Sequence, residues 1–513
     1  MGFGYSSVAP SNTSIAQTVW SYGPRTLTDI QSLVNAITNN DPNLLSTLGD
    51  LPFIPAPMYA GQVSLTQVAS FISSLVQSYN AAGLIASFIN SNPYSLWGMD
   101  FVTNLIQNPA LGFTNASQIL SAASSSALAS IATSTNVPVT TILALISNSA
   151  LSATAAQGLL YGLANNYYYN KWLQVVTYNA PTSVTFSTNT VISTNVLIAQ
   201  NITISSGVTV TCGTTTCFFV AQVFNNQGTI VNPYGAAGGG TVGANYGPGP
   251  GGTGGGGVVV IAYTATMGTI NVNGGNGVSA TTAADCYTPA NGCGGGVGGG
   301  GGGGVFALLS GMSVPYGGNS ATFNVIPVPS GGPNGGAGGN ANDAYGAGGN
   351  GGSATVYTFS SGNGLVTYAI QGVSDWWLSN VIGKAPPSVT PLLFVYGSGG
   401  GGGAAQGSTG AYGGAGGGGG GGEVIIYGYS VIAGTAFANG GNGGVGSTGG
   451  LTQGAGGGGG GGGILLVFYG PGGLNGTIGF QALGGSGGLY ATNSYASAGA
   501  NGTYYAGSVT VNG

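Results

Sequence analysis

The sequence predicts a multidomain α + all-β protein. A mostly helical region covers residues 1–175, lead-in β-strands cover 176–235, and a glycine-rich β-solenoid or sandwich with polyglycine-II-like segments covers 236–513. Three observations carry this reading. Glycine divides the chain, with 13 in residues 1–230 and the remaining 94 in residues 231–513. Apolar β-branched runs follow the glycine runs in register. Hydrophobic residues make up 42% of the chain while charged residues make up 2%, which argues against both disorder and a collagen-like chain, since proline is only 22 residues and no strict G-X-Y period exists.

The helical region shows apolar spacing at three and four residues. Thr28 is placed to cap a helix over Asp29–Thr38, with Ile30, Leu33, Val34 and Ile37 on one face. Ser64 opens a second, with Val68, Phe71, Ile72, Leu75 and Val76 in phase. Two later segments share N-x-A-L-x-x-T-x-A, starting at Asn108 and Asn148, with Thr114 and Thr154 as equivalent caps. They read either as a degenerate helical repeat or as coincidence in Ala/Ser-rich sequence. The region suits docking or subunit assembly.

Strand signals begin at Ser183 with Val184–Phe186, Val191-Ile192, Val196–Ile198, Ile202–Ile204, Val208–Cys212, Cys217–Val223 and Gly228–Asn232. The glycine-rich part then repeats a unit of roughly 40–50 residues, of the kind that builds stacked repeats. Each unit is a glycine run, an apolar strand, a short second strand and G-G-N-G-like turns. Val258–Tyr263, Val305–Leu309, Ala354–Phe359, Glu423–Tyr427 and Ile464–Tyr469 are the apolar strands. Gly268–Asn271, Leu365–Ile370, Gly434–Ala438 and Gly476–Phe480 are the second strands, and Ser508–Gly513 closes as a lone one. A glycine run is a flexible linker unless its entropy cost is offset. Close backbone approach with interchain-like hydrogen bonding, as in threefold extended helices, supplies one offset and strand burial supplies another.

Two insertions break the rhythm, Ala284–Cys293 and Ser374–Ser388. Insertions in repeat scaffolds map to loops on one face. Trp376, Trp377 and Tyr287 are therefore receptor or interface candidates, with local packing as the alternative for the tryptophans. Cys212/Cys217 and Cys286/Cys293 form two local pairs, read as disulfides of an oxidising compartment, with zinc ligation and free thiols as the alternatives.

The charged residues exclude whole classes of chemistry. There are 3 Lys+Arg, 8 Asp+Glu and no His. Arg25, Lys171 and Lys384 are too few for a nucleic-acid footprint. The only Gly-Lys, Gly383-Lys384, is followed by Ala385 and is no phosphate loop. The acids Asp29, Asp41, Asp50, Asp100, Asp285, Asp343, Asp375 and Glu423 are scattered. A convergent pair would be needed for glycoside hydrolysis. Asn340, Asn342 and Asp343 read as a polar turn before they read as a calcium loop. The expectation is a non-enzyme with no cofactor and no metal. The start of the chain carries no secretory pattern, and no run approaches the length of a membrane span.

The units G(4–8)-[VI]-[VIL]-[VI]-…-G-T-I-x-V-N-G-G-N-G, with Ile202–Val210 and Asn226–Val231 before them, resemble glycine-rich viral tail-fibre adhesins and related surface proteins over about residues 195–513. Val19-Trp-Ser-Tyr-Gly-Pro-Arg-Thr-Leu-Thr28 is similar to a V-W-x-Y-x-x-R-T-L-T segment of viral tail and fibre proteins. The nearly uncharged helical region departs from bacteriophage adhesins and looks more like proteins of hyperthermophilic archaea and their viruses. The resemblance implies host attachment at a virion surface or outside a cell. Its implied partners are other copies as a trimer or filament, other virion proteins, and a host glycan or S-layer. The alternative is an extracellular filament or sheath subunit.

Scarce charge implies tolerance of acid. Asp and Glu titrate near pH 4. Each carboxylate whose pKa is depressed by folding contributes stability that is lost as pH falls through that value. With eight acids and three cations, few such terms exist and little net positive charge accumulates. Unfolding midpoints measured between about pH 2 and 7 are expected to be nearly constant; a cooperative acid transition in that window contradicts the expectation.

Overall fold

A computed structural model describes residues 138–149, 151–165, 169–214, 216–233, 251–279, 363–387, 416–445, 448–449, 452–453, 457–488 and 496–509. The described part is mostly β: two parallel sheets and a few helices. The chain divides into two compact units. Unit 1 holds residues 1–175 with Ser374–Val389, and unit 2 holds the rest.

In unit 1, α1 (Val139–Ser147) buries Ile142, Leu143, Leu145 and Ile146. α2 (Ala153–Asn165) buries Ala155, Ala156, Leu159, Leu160 and Leu163, which leaves little polar surface along it. Ser152 caps α2, its Oγ accepting from Ala155 N at 3.1 Å. Thr154, the residue expected to cap, lies inside the helix instead, because the hydroxyl one residue outside the first turn is the one that meets the free amide. α3 (Tyr169–Thr177) buries Trp172, Leu173, Val175 and Val176. Thr114 and the earlier predicted helices lie outside the described residues.

Unit 2 alternates long and short strands. The long ones form a seven-stranded sheet: β1 (Ser183–Phe186), β3 (Val196–Ile204), β5 (Thr216–Asn226), β7 (Gly257–Thr266), β9 (Glu423–Ile432), β13 (Ile464–Asn475) and β15 (Thr503–Ser508), in that order. The short ones form a six-stranded sheet: β2 (Thr190–Ile192), β4 (Thr209–Cys212), β6 (Thr229–Val231), β8 (Thr269–Asn271), β10 (Thr435–Phe437) and β14 (Gly479–Gln481). β11 (Thr448–Gly449) and β12 (Thr452–Gln453) make a separate small ribbon. One long strand, a corner and one short strand make a rung, and every neighbouring pair in the two sheets is parallel.

Alternation decides the core. Val258, Val260 and Ala262 of β7, Val424 and Ile426 of β9, and Leu465 and Val467 of β13 meet Ile230, Ile270 and Ala436 of the short strands in one cluster. The opposite face of the long strands is buried too, through Phe218, Val259, Ile261, Ile425, Tyr427, Leu466 and Phe468. That double burial explains why these strands read as continuous apolar runs, as parallel strands covered on both sides do. Burial also pushes the Tyr427 phenol pKa up. Corners are set by buried amides and by glycine. Asn226 Nδ2 donates to Met267 O at 2.6 Å, while its Oδ1 accepts from Gly228 N at 3.0 Å. Gly268 turns there with φ +56°, in the region that favours glycine.

Several expected strands differ. Val196–Ile198 and Ile202–Ile204 are one continuous strand, because β5 pairs along both halves. Thr503–Ser508 adds a long strand that the sequence did not announce, and the second strand expected over Ser508–Gly513 lies mostly outside the described residues. Leu365–Ile370 lies in a helix, α4 (Asn363–Trp377), with Ala369, Ile370 and Val373 buried at helical spacing. Gly257 pairs directly with Glu423, so the units at Val305–Leu309 and Ala354–Phe359 do not intervene between β7 and β9. Those two lie outside the described residues.

The glycine segments form two columns that continue the rungs. The first column stacks residues 251–256, 416–422, 457–463 and 496–502. Gly252 N donates to Gly417 O, Gly418 N to Gly458 O, and Gly421 N to Gly461 O, all at 2.8 Å. The second stacks 272–277, 438–444 and 482–488, with Gly274 N donating to Asn439 O and Gly440 N to Leu483 O, both at 2.8 Å. Donors recur every third residue, the period of an extended threefold helix. Cross-links then zigzag between columns: Gly275 N to Thr253 O, Gly419 N to Gly275 O, Gly441 N to Gly419 O, Gly460 N to Gly441 O, Gly485 N to Gly460 O and Gly499 N to Gly485 O, at 2.7–2.9 Å. The G-G-N-G segments, expected as turns, are straight members of the second column, because each third residue points outward and the glycines between face the neighbours.

A Cβ at Gly460 would collide with the Gly419 carbonyl, whereas one at Gly207 (φ +77°) would meet nothing within 4 Å. Gly460→Ala is expected to lower unfolding free energy by about 1–3 kcal/mol or more in chemical denaturation. Gly207→Asn, a residue that tolerates positive φ, is expected to cost less than about 1 kcal/mol. Equal effects would show that close packing of the columns does not limit stability.

Candidate functional site

Of the four described Lys, Arg, Asp and Glu residues, Lys171, Asp375 and Lys384 lie in unit 1, two of them in the segment read from sequence as an insertion. α4 ends at Trp377 and continues as a π-helical turn, Leu378–Ile382, stopped by Gly383 at φ +79°. Asp375 is fully buried. Its Oδ1 accepts from Gln157 Nε2 at 2.7 Å, and Tyr161 OH lies 2.9 Å from both carboxylate oxygens. Beside it Trp172 Nε1 donates to Ser374 Oγ at 2.9 Å. Lys384 Nζ donates to Asn148 O at 2.7 Å and Leu151 O at 2.5 Å, just past the C-terminal end of α1, where carbonyls favour a cation. Partial burial lowers the pKa of Lys384, and burial does the same to Lys171.

This arrangement ties Ser374–Lys384 to α1, α2 and α3 through polar contacts that apolar burial alone would not specify. A carboxylate held by several neutral donors is satisfied inside the protein and stabilises that one arrangement. Trp377 is 3% exposed and Trp376 is half-buried, so the two candidate contact residues differ: the first is part of the unit 1 interior and only the second reaches the surface. Sequence reasoning missed Gln157, Tyr161 and Ser374, which carry no motif. The available signal was that Asp375 and Lys384 are two of the few charges in the chain and flank the tryptophans.

Cys212 and Cys217 are joined by a disulfide between β4 and β5, and both are buried. It closes the rung at the point where the following rungs open into the glycine columns. Tyr287, Cys286 and Cys293 lie outside the described residues. Of the eight acids only Asp375 and Glu423 are described; they belong to different units, and Glu423 is buried at the start of β9. Asn340, Asn342 and Asp343 also lie outside. Among the described residues no group of three His, Cys, Asp or Glu gathers, and no helix is long and apolar enough to cross a membrane.

The outward positions of the second column make a polar surface. Asn439 N donates to Asn273 Oδ1 at 2.7 Å and Leu483 N to Asn439 Oδ1 at 2.8 Å. Asn442 N donates to Asn276 Oδ1, and Ser486 N to Asn442 Oδ1, both at 2.8 Å. Side-chain amides thus run from rung to rung on an exposed face. Comparison with protein-family models, with curated proteins and with solved structures finds no match to the chain.

Asp375→Ala removes the carboxylate that the Tyr161 hydroxyl and the Gln157 amide share and is expected to destabilise unit 1 by about 1–3 kcal/mol. Tyr161→Phe removes one donor and is expected to cost about half of that or less. Hydrogen exchange of α2 and residues 374–384 reads the loss locally; unchanged protection there would mean that the cluster does not hold the segment.

Proposed function

We propose that the protein is a non-catalytic structural and attachment protein of a virion surface. Unit 2 is taken as a glycine-rich β-solenoid whose columns are polyglycine-II-like, and the helical region as the part that docks to the particle. The observation that carries this reading is the unbroken backbone hydrogen-bond path from Thr253 to Gly499 through seven glycine-rich segments. Such a lattice uses no ionised group, so neither salt nor acid weakens it, and it suits a long-lived exterior part better than a site for chemistry. The likeness of the repeat units to tail-fibre adhesins supports the same role.

Host contact, to a surface glycan or S-layer, is assigned to residues of the two insertions, of which Tyr287 lies outside the described residues. Trp376 is the better placed of the two tryptophans, and Tyr287 belongs to the other insertion. Weak single contacts suffice when several copies act together. A second reading, an extracellular filament subunit, is favoured by the uncharged sheet edges at both ends of unit 2. Immunogold electron microscopy of native material tests both. Label on spikes or fibres of particles is expected, label along homopolymers free of nucleic acid selects the filament, and label confined to the cell interior overturns both.

A further inference from the structure

We propose that unit 2 stacks end to end with a second copy of this chain, the partial last rung of one copy and the shortened first rung of the next closing into one rung. The inference rests on the structural role proposed above only in taking the partner to be another copy.

Six rungs have both strands, β1/β2 to β13/β14; the first has a shortened long strand, and β15 stands at the other end without a described short strand. β15 pairs only with Ile464–Tyr469, the first half of β13, and no described strand lies above Gly473–Asn475 in the sheet. β1 pairs only with Asn201–Ile204, the second half of β3, and no described strand lies below Val196–Ala199. The two ends are therefore opposite steps. Following each register column through the sheet sets β1 of a second copy over Gly473–Asn475, with Thr185 opposite Asn475. The same columns set Val196 opposite Tyr505, and Thr190 of β2 opposite Phe480 of β14.

Donor directions agree with this. Thr503 N and Val509 N donate toward β13, at 3.2 and 2.9 Å, so the alternate amides of Tyr504, Ala506 and Ser508 face the open edge. Both ends also expose core-facing apolar groups: Tyr504, 44% exposed and in ring contact with Phe480 at one end, and half-buried Val184 and Phe186 at the other. No charge lies between Lys171 and Asp285, nor anywhere after Glu423. Edges normally carry Lys, Pro or inward charges that block such pairing, and β1 and β15 carry none. Within unit 2, Thr177 Oγ1 accepts a hydrogen bond from Gln222 Nε2 of β5 at 3.1 Å. Because the two steps differ, the contact is head to tail and not a twofold pairing of like edges.

The test uses full-length chains. Thr185→Cys and Asn475→Cys, both at exposed positions, are mixed and oxidised. A disulfide-linked pair containing one of each is expected, with none from either variant alone beyond the wild-type background, and a ladder from the double variant. In parallel, Ala506→Pro with Ser508→Lys blocks the open edge while keeping the bonds to β13, and is expected to weaken self-association in sedimentation about tenfold or more. Absence of the mixed pair overturns the proposal even if the blocked variant misfolds. So does dimerisation that survives edge blocking, or a Ser508→Cys homodimer in place of the mixed pair, which would signify twofold pairing of β15. None of these outcomes alters where the protein is found by immunogold labelling, so the two proposals fail separately. Residues 510–513 lie outside the described structure, and the cysteine pair reads directly whether β1 of another copy reaches Gly473–Asn475.

Discussion

Unit 2 depends on one constraint: main chains must approach each other without side chains between them. At Gly419, Gly441 and Gly460 an added methyl group would enter a neighbouring carbonyl. Each ordered glycine costs about 0.5–1 kcal/mol more than alanine in conformational entropy, and each backbone hydrogen bond returns about 0.5–1.5 kcal/mol net. The two are of the same size, so the columns are not self-sufficient. Burial in the adjoining strands decides the balance, since one fully buried Val, Ile or Leu contributes about 1.5–3 kcal/mol. Gly422 leads directly into Glu423 and Gly463 into Ile464, so a glycine segment is fixed in place by the strand that follows it.

The same constraint explains how polarity is handled. Asn226 and Asn232 are buried, with their amides bonded to carbonyls of the next rung, and Asn273, Asn276, Asn439 and Asn442 link rungs on the outside. An amide offers donor and acceptor without the desolvation cost of an ion. In unit 1 two side chains work as hubs: buried Asp375 gathers donors and half-buried Lys384 gathers carbonyls. The two units thus reach specificity by different means, one through a repeated main-chain pattern and the other through a few local side-chain contacts.

Much of the β architecture could be read from the residues. Val258–Tyr263, Glu423–Tyr427 and Ile464–Tyr469 announced long strands because a doubly buried strand must be apolar throughout, and Gly-Thr-Ile at Gly268 announced a corner and a short strand. Periodicity failed at Leu365–Ile370, where a β-branched and aromatic run lies in a helix whose partners are distant in sequence. It failed again at Asn273–Asn276, where G-G-N-G has the composition of a turn and the conformation of an extended column, because the stabilising contacts come from segments far along the chain. The unit 1 cluster was legible only as rare charge. Gln157 and Tyr161 are ordinary residues on a helix until residue 375 is brought to them.

The pairing of Gly257 with Glu423 has a consequence for how the molecule is made. During synthesis the ribosome completes β1 to β8 and must then deliver residues 280–415 before the next sheet strand emerges. At about 5–20 residues per second that interval is on the order of ten seconds, during which β7 is a bare apolar edge on a half-built stack. A nascent chain in that state is a template for the β9 of any neighbouring chain as well as its own. Productive assembly in the cell then depends on translation rate, chaperone cover and local ribosome spacing, quantities that the finished fold no longer displays.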